Sequence, residues 1–317
     1  VDISPAKTLI GSNGQAPEGV ILVDVSWLLH RSFHANKGQF SVMLQPEEGP
    51  AYRKDTSTFY GFLNAIVALI NRRPSHAIIL CVDAPTESLA RKKLNPEYKA
   101  GRGEADPGIY SPLTSIQQTC CALKSCVLAY KDGEEADDHV YSLSAKLSKA
   151  FDEIIIYAND KDLCQSLAFE GVKMARSFKG KDFEYLGQDY IDAKIGPVEP
   201  ALLAFYRSFI GDSSDNLKGY ARFPRVHIKR LVEQFRTPAK LLEAMSNGDP
   251  CGLTSKWYEV IREDKGRNLM MNYAIMKLSE LPESNLYRAP GTLKYLKAYN
   301  CNSILKAFER YELKCDD

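Results

Sequence analysis

Three short apolar runs in this chain close on an aspartate: Val20-Ile-Leu-Val-Asp24, His76-Ala-Ile-Ile-Leu-Cys-Val82 followed by Asp83, and Glu153-Ile-Ile-Ile-Tyr-Ala158 followed by Asn159 and Asp160. Continuous rather than alternating apolar character marks strands buried on both faces, as in parallel sheets. Helical patterns separate them, over Ser26 to about Ala35, Thr58 to Asn71, Tyr110 to Lys124 and Glu135 to Lys149, and Cys126 to Ala129 reads as a further strand. Such alternation predicts βαβ units. After about Pro197 the strand signal fades, and Glu199 to Ile210, Val226 to Phe235, Pro238 to Met245 and Asn302 to Tyr311 read as helices. The expected fold is therefore α/β. A central, mainly parallel sheet flanked by helices occupies residues 20–196, and a mainly helical C-terminal region occupies 197–317. Residues 1–19, polar and punctuated by Gly and Pro, read as a flexible lead-in, and residues 37–54 read as a loop containing Pro46, Gly49 and Pro50.

In a parallel α/β sheet, ligands bind beyond the carboxyl ends of the strands. That end is where Asp24, Asp83, Asp160 and Asp162 fall. One such acid is an ordinary helix cap. Three strands delivering acids to one edge are harder to explain that way. Two more clusters follow: Glu135-Ala-Asp137-Asp138 at a helix start, and Gly211-Asp212-Ser-Ser-Asp215-Asn216 after a helix. In both, acids three apart share a face and repel unless a cation neutralises them. A single Mg²⁺ takes one or two carboxylates directly and keeps several waters. Nine acids therefore point to two or more ions, the arrangement that splits phosphodiesters by in-line displacement.

The net charge of +1 hides a partition, because the rest of the chain carries about +10 once these nine acids are set aside. That excess suits a phosphate backbone. The eight cysteines contain no CxxC and show no zinc spacing, so free thiols in a reducing compartment are expected. His30 and His34, four apart, lack a nearby third ligand. There is no run of about 18 apolar residues of the kind that spans a membrane.

The ordered motifs resemble those of the flap endonuclease and 5′-nuclease superfamily, which includes bacteriophage 5′ exonucleases and the 5′-nuclease domain of bacterial repair polymerases. The resemblance runs from Ile21 to about Phe235. It lies at Leu22-Val-Asp24, Arg31-Ser-Phe-His-Ala35, Tyr60-Gly-Phe62, Arg91, Tyr98-Lys-Ala-Gly-Arg102, Glu135-Ala-Asp-Asp138, Asp160-Lys-Asp162 and Gly211-Asp-Ser-Ser-Asp-Asn216. It implies that Asp24, Asp83, Glu135, Asp137 and Asp138 surround one Mg²⁺, and that Asp160, Asp162, Asp212 and Asp215 surround another, with Mn²⁺ able to substitute. By the same resemblance Lys99 and Arg102 stabilise the scissile phosphate, Arg91 contacts phosphate, and Tyr98 stacks on a base or packs in the core. An arch over the site would lie between Gly103 and Lys124.

The family's duplex-binding element, a helix–three-turn–helix, would follow Asn216. Here it reads Gly219-Tyr-Ala-Arg-Phe-Pro-Arg225, with Arg222 and Pro224 where glycines are expected. Proline has no N–H and arginine disfavours positive φ, which argues against a monovalent cation held by this backbone. Arg222, Arg225, His227, Lys229 and Arg230 would then hold duplex phosphates by charge. The function expected is a metal-dependent 5′→3′ exonuclease and flap endonuclease acting on DNA with a 5′ flap, nick or free 5′ end, or on RNA primers. It is expected as a monomer in the cytoplasm of a bacterial or phage-infected cell. Two rivals stay open: a non-catalytic branched-DNA-binding protein of the same fold, and an acid-rich phosphohydrolase acting on small esters.

Overall fold

The computed structural model describes residues 9–282 and 286–312. In chain order the first half contains β1 (Gly19–Asp24), α1 (Val25–Asn36), β2 (Ser41–Leu44), β3 (Tyr52–Asp55), α2 (Ser57–Arg72), β4 (His76–Cys81), α3 (Arg91–Leu94), α4 (Pro107–Tyr110), α5 (Leu113–Cys120), β5 (Cys126–Ala129) and α6 (Ala136–Leu147). Next come β6 (Glu153–Tyr157), β7 (Val172–Lys179), β8 (Asp182–Leu186), α7 (Gln188–Lys194), α8 (Leu203–Ile210), β9 (Gly211–Asp212) and β10 (Leu217–Lys218). The remainder is α9 (Arg225–Phe235), α10 (Pro238–Ser246), α11 (Ser255–Glu263), α12 (Arg267–Met276), β11 (Leu286–Tyr287), α13 (Lys294–Ala298) and α14 (Asn302–Glu312).

The central sheet has the order β11-β5-β4-β1-β6-β7-β8. The five inner strands are parallel, and both edge strands run antiparallel to them. β1 lies between β4 and β6, pairing Ile21 with Ile78 on one side and with Ile155 on the other. Its residues alternate between two cores. Val20 and Leu22 pack with α6, α8, α9 and α12, whereas Ile21 and Val23 pack with α1, α2, α5 and α14. Because the chain leaves β1 in both directions across the sheet, the carboxyl end of β1 is a topological switch point, where a crevice opens.

Several expectations change. Residues 9–18 are not a loose lead-in: Leu9 is buried, and Ser12 Oγ donates to Ser125 Oγ at 2.9 Å. The part of that lead-in over residues 1–8 lies outside the described residues. Residues 41–55 form the β2–β3 hairpin rather than a plain loop. The helix read over 110–124 is broken into α4 and α5 around Pro112, whose ring cannot continue a helix. The boundary at 196/197 separates no two cores. β11 pairs with β5, and Leu296, Ile304 and Phe308 pack on the α1–α2 side of the sheet.

Candidate active site

Asp24 ends β1 and caps α1, its side chain accepting from Trp27 N at 3.0 Å. Asp83 follows β4 and accepts from Ala136 N at 2.8 Å and from Ser26 Oγ, so it fixes the start of α6. Asp137 lies in the first turn of that helix. Asp160 follows β6 and accepts from Asp162 N at 2.8 Å. Capping and site-building are therefore not alternatives here, since these acids do both. With Glu135, Lys99 and Arg102 they line a cleft of about 760 Å³ at the switch point, whose other wall includes Trp27, His30 and Tyr110.

Electrostatics divide the acids into two groups. Asp24, Asp83, Asp137 and Asp160 have no ion-pair partner among the described residues. Burial, then repulsion from Asp83, raises the Asp24 carboxyl to about 7. Burial, then repulsion from Asp160, Asp24 and Asp83, pushes Asp137 well above the ordinary carboxylate range. Burial also raises Asp160. A desolvated cleft with uncompensated carboxylates is a cost to the fold unless a cation offsets it. An all-oxygen donor set suits a hard divalent ion. Among the described residues no three His, Cys, Asp or Glu side chains are grouped closely enough to hold a metal ion by themselves. An open cleft matches ions that keep much of their water.

The second group is already neutralised. Arg207, on α8 and 3% exposed, pairs with both Asp162 and Asp212. Lys161 lies 3.1 Å from Asp212, and Arg102 lies 2.5 Å from Asp215. Burial would raise Asp212, but Ser214, Arg207 and Lys161 together bring it to about 2. Lys99 pairs with Glu135, and Arg91 approaches the same carboxylate at 2.7 Å. These two cations outweigh burial and hold Glu135 below its usual range. Sequence reasoning missed Arg207. Its signal was a lone arginine in the apolar stretch Ala204-Phe-Tyr-Arg-Ser-Phe-Ile210, four residues before Gly211.

Backbone geometry ties the basic loop to the acidic one. Gly211 has φ +76°, and a Cβ there would lie 2.3 Å from Leu217 O, so the β9–β10 turn requires glycine. Asn216, left-handed at φ 59°, donates from Nδ2 to Glu97 O at 3.0 Å. Lys99, at φ 60°, donates from its backbone N–H to Asp215 O at 3.1 Å. Lys99 and Arg102 thus stand at the seam between the two acidic groups.

The structure narrows four of these expectations. Tyr98 is 4% exposed and its hydroxyl donates to Glu135 at 3.0 Å, so no ring face is free to stack on a base. Arg91 is not a phosphate contact. Its guanidinium is held between Glu135, Asp138 and the Ile275 carbonyl. Asp138 is occupied by Arg91 and by the amide of Glu135 in a capping box, so both of its oxygens are engaged in this structure. No long arch spans 103–124, since α4 and α5 are short and bury Ile109 and Ile116.

In the loop after Asn216, Arg222 adopts φ +60° despite its side chain, the conformation expected of the glycine it stands for. Pro224 caps α9. Arg225 donates to Ile195 O at 3.0 Å, Arg230 to Gly252 O, and Lys229 lies 3.7 Å from Glu233. His227 Nδ1 lies 3.3 Å from Arg230. Arg222 is the exposed member of this set without such a tie among the described residues.

Comparison with known proteins converges on one family. Residues 19–196 match the model of the 5′-3′ exonuclease N-terminal resolvase-like domain. A 5′-3′ exonuclease of Mycoplasmopsis pulmonis is 25% identical over 316 residues, covering 96% of this chain and 98% of its own. DNA polymerase I of Bacillus subtilis is 26% identical over 83% of this chain, which spans only 28% of that longer protein. In fold the chain is similar to the T5 5′-exonuclease solved with divalent metal ions (zinc), with a TM-score of 0.62 at 17% identity, covering 94% of this chain and all of that one.

Proposed function

Because the chain belongs to the 5′-3′ exonuclease family and is a nuclease of that kind, we propose that its acidic cleft hydrolyses phosphodiesters at 5′ ends and 5′ flaps of DNA with the help of divalent cations. The observation that carries this reading is the set of four carboxylates without an ion-pair partner among the described residues, Asp24, Asp83, Asp137 and Asp160, which line the cleft at the switch point together with Lys99 and Arg102.

In this reading those four acids hold the ions directly or through water, with Glu135 at their edge. Asp162, Asp212 and Asp215 form a second, wetter set beside Arg207. Mg²⁺ is the proposed ion and Mn²⁺ its substitute, and what such ions supply is a water activated for attack and charge neutralisation at the leaving oxygen. Lys99 and Arg102, on a loop braced by Asp215 and Asn216, place fixed positive charge where the phosphoryl oxygens gain negative charge. Ser26 and the α6 amide hold Asp83 so that its carboxylate keeps one orientation. An RNA primer end is a second proposed substrate. Among the described residues no helix is long and apolar enough to cross a membrane, and we place the protein in a reducing compartment, where its buried free thiols persist.

End-labelled 5′-flap, nicked and single-stranded DNA incubated with Mg²⁺ tests the proposal. The wild type should release short 5′ products, and Asp160→Asn should cut at least about 100-fold more slowly while still binding DNA. Undiminished cleavage by Asp160→Asn overturns the site, and an inert wild type in both Mg²⁺ and Mn²⁺ overturns the activity.

A further inference from the structure

Two turns from separate parts of the C-terminal region stand side by side. One is Gly219–Phe223, with Arg222 exposed at φ +60°. The other joins α11 to α12 through Asp264-Lys265-Gly266-Arg267, where Lys265 and Gly266 have φ +56° and +67°. Tyr220 links them, its hydroxyl donating to Asp264 at 3.0 Å. The Asp264 carboxylate also accepts from the amides of Gly266 and Asn268, at 2.8 and 3.1 Å. Its charge is thereby engaged inside the joint. Asn272 donates to Lys218 O at 2.8 Å and to Ser208 O at 2.9 Å, which pins α12 along the strand leaving the Asp212–Asp215 loop. Phe223 packs against Trp257 of α11 with ring centroids 5.0 Å apart.

This joint holds Lys218, Arg222, Lys265 and Arg267 exposed, and none has an ion-pair partner among the described residues; Arg267 Nε donates to the Asp264 carbonyl at 3.0 Å, which steadies its guanidinium on the turn. The acids close to the second turn are Asp264, engaged as described, and the exposed Glu263, while Glu259 is paired with Arg262 at 2.6 Å. The mechanism uses none of these four cations. Point charges on two mutually braced turns suit a rigid polyanion with regular phosphate spacing, which they can meet through its backbone without reading bases.

We infer that Lys265 and Arg267 form a second phosphate contact on the duplex arm of the substrate, continuing the path of the Gly219–Arg225 loop away from the cleft. The inference rests on the proposed nuclease reading and adds to it a determinant of duplex length. A short arm reaches only the first turn, and a longer arm gains the second.

The test uses the full chain with Ca²⁺ in place of Mg²⁺, and flap DNAs with identical 5′ flaps but duplex arms of about 8 and about 20 base pairs. Affinity is followed by anisotropy over a KCl series. Each lost phosphate contact lowers the slope of log affinity against log salt by about 0.9. Lys265→Ala/Arg267→Ala should therefore bind the long arm roughly tenfold more weakly, with a slope shallower by about 1.8, and should change little on the short arm. Lys297→Ala/Lys306→Ala removes the same charge from α13 and α14, which pack on the opposite face of the sheet, and should leave both arms unchanged. Wild-type affinity and slope in the first variant, or an equal loss in the second, overturns the inference while leaving the nuclease reading intact. A wild type that does not bind these DNAs in Ca²⁺ and does not cut them in Mg²⁺ overturns both.

Discussion

Arg91 grips Asp138 with two parallel hydrogen bonds, Nη1 to Oδ2 at 2.7 Å and Nη2 to Oδ1 at 2.6 Å, across 47 residues of sequence. The pair is nearly buried, and Glu135 shares the guanidinium. Removing one partner of a buried pair strands the other charge and costs about 3–5 kcal/mol. Arg91→Ala should lower unfolding stability by that order in urea titration, and Asp138→Asn by less, since the amide still accepts one bond. A surface phosphate contact, by contrast, would change stability by less than about 0.5 kcal/mol when lost.

Asp24 gives a prediction with a definite sign. Its folded pKa is about 7 against an ordinary 3.8, chiefly through burial. The stability this group contributes is full below about pH 3.8 and is lost as pH rises through about 7, because the unfolded chain ionises more readily. In EDTA, Asp24→Asn should therefore melt higher than the wild type at pH 8, with the difference shrinking toward pH 5. Its cleavage rate should fall at least about 100-fold. An unchanged or lower Tm at pH 8 would count against a strained, metal-free acid cluster.

Arg207 bridges Asp162 and Asp212 from the interior. Arg207→Ala leaves Asp162 unpaired and Asp212 held by Lys161 alone, so the metal-free protein should lose about 3 kcal/mol. Added Mn²⁺ should restore more Tm to this variant than it adds to the wild type. Equal Mn²⁺ shifts in the two proteins would argue against a second ion at this pair.

In the proposed site, Lys99 and Arg102 would act only as charge accumulates on the phosphate. Lys99→Ala should reduce single-turnover cleavage by roughly 100-fold, in the range found for removing one preorganised electrostatic donor. Affinity for uncleaved flap DNA should change less than about fivefold, and a loss confined to affinity would reassign the residue to binding.

Far from the cleft, Glu153 receives Arg73 at 3.0 Å and Lys173 at 2.8 Å. Burial opposes them, but the two cations still bring its carboxyl to about 2. This lowered group stabilises the fold above about pH 4.5 and loses that contribution as pH falls toward 2. Glu153→Gln should cost roughly 1–3 kcal/mol at pH 7 and little near pH 2, as read from the pH dependence of urea midpoints.

The amino-acid sequence alone determined which segments are interior strands and at which end their acids stand. Val20–Asp24, His76–Val82 and Glu153–Tyr157 needed only continuous apolar character and a terminal aspartate, and periodicity is a local property of the chain. The EADD and GDxxDN spacings likewise marked two acidic turns, of which Glu135 and Asp137 line the cleft while Asp212 and Asp215 pair with Arg207, Lys161 and Arg102. Edge elements were less legible. β7 and β8 mix charged residues into their exposed faces, and β11 is two residues long.

Only the tertiary structure decided how the charges are apportioned. Asp137 and Asp138 are neighbours in sequence, yet one faces the cleft uncompensated and the other is gripped by Arg91. Tyr98 and Lys99 are adjacent too, and the ring turns inward while the backbone of Lys99 bends through a left-handed conformation toward Asp215. Ion pairing falls steeply with distance and depends on burial. Lys99 and Glu135 lie 36 residues apart and Arg102 and Asp215 lie 113 apart, so only the folded chain brings them together.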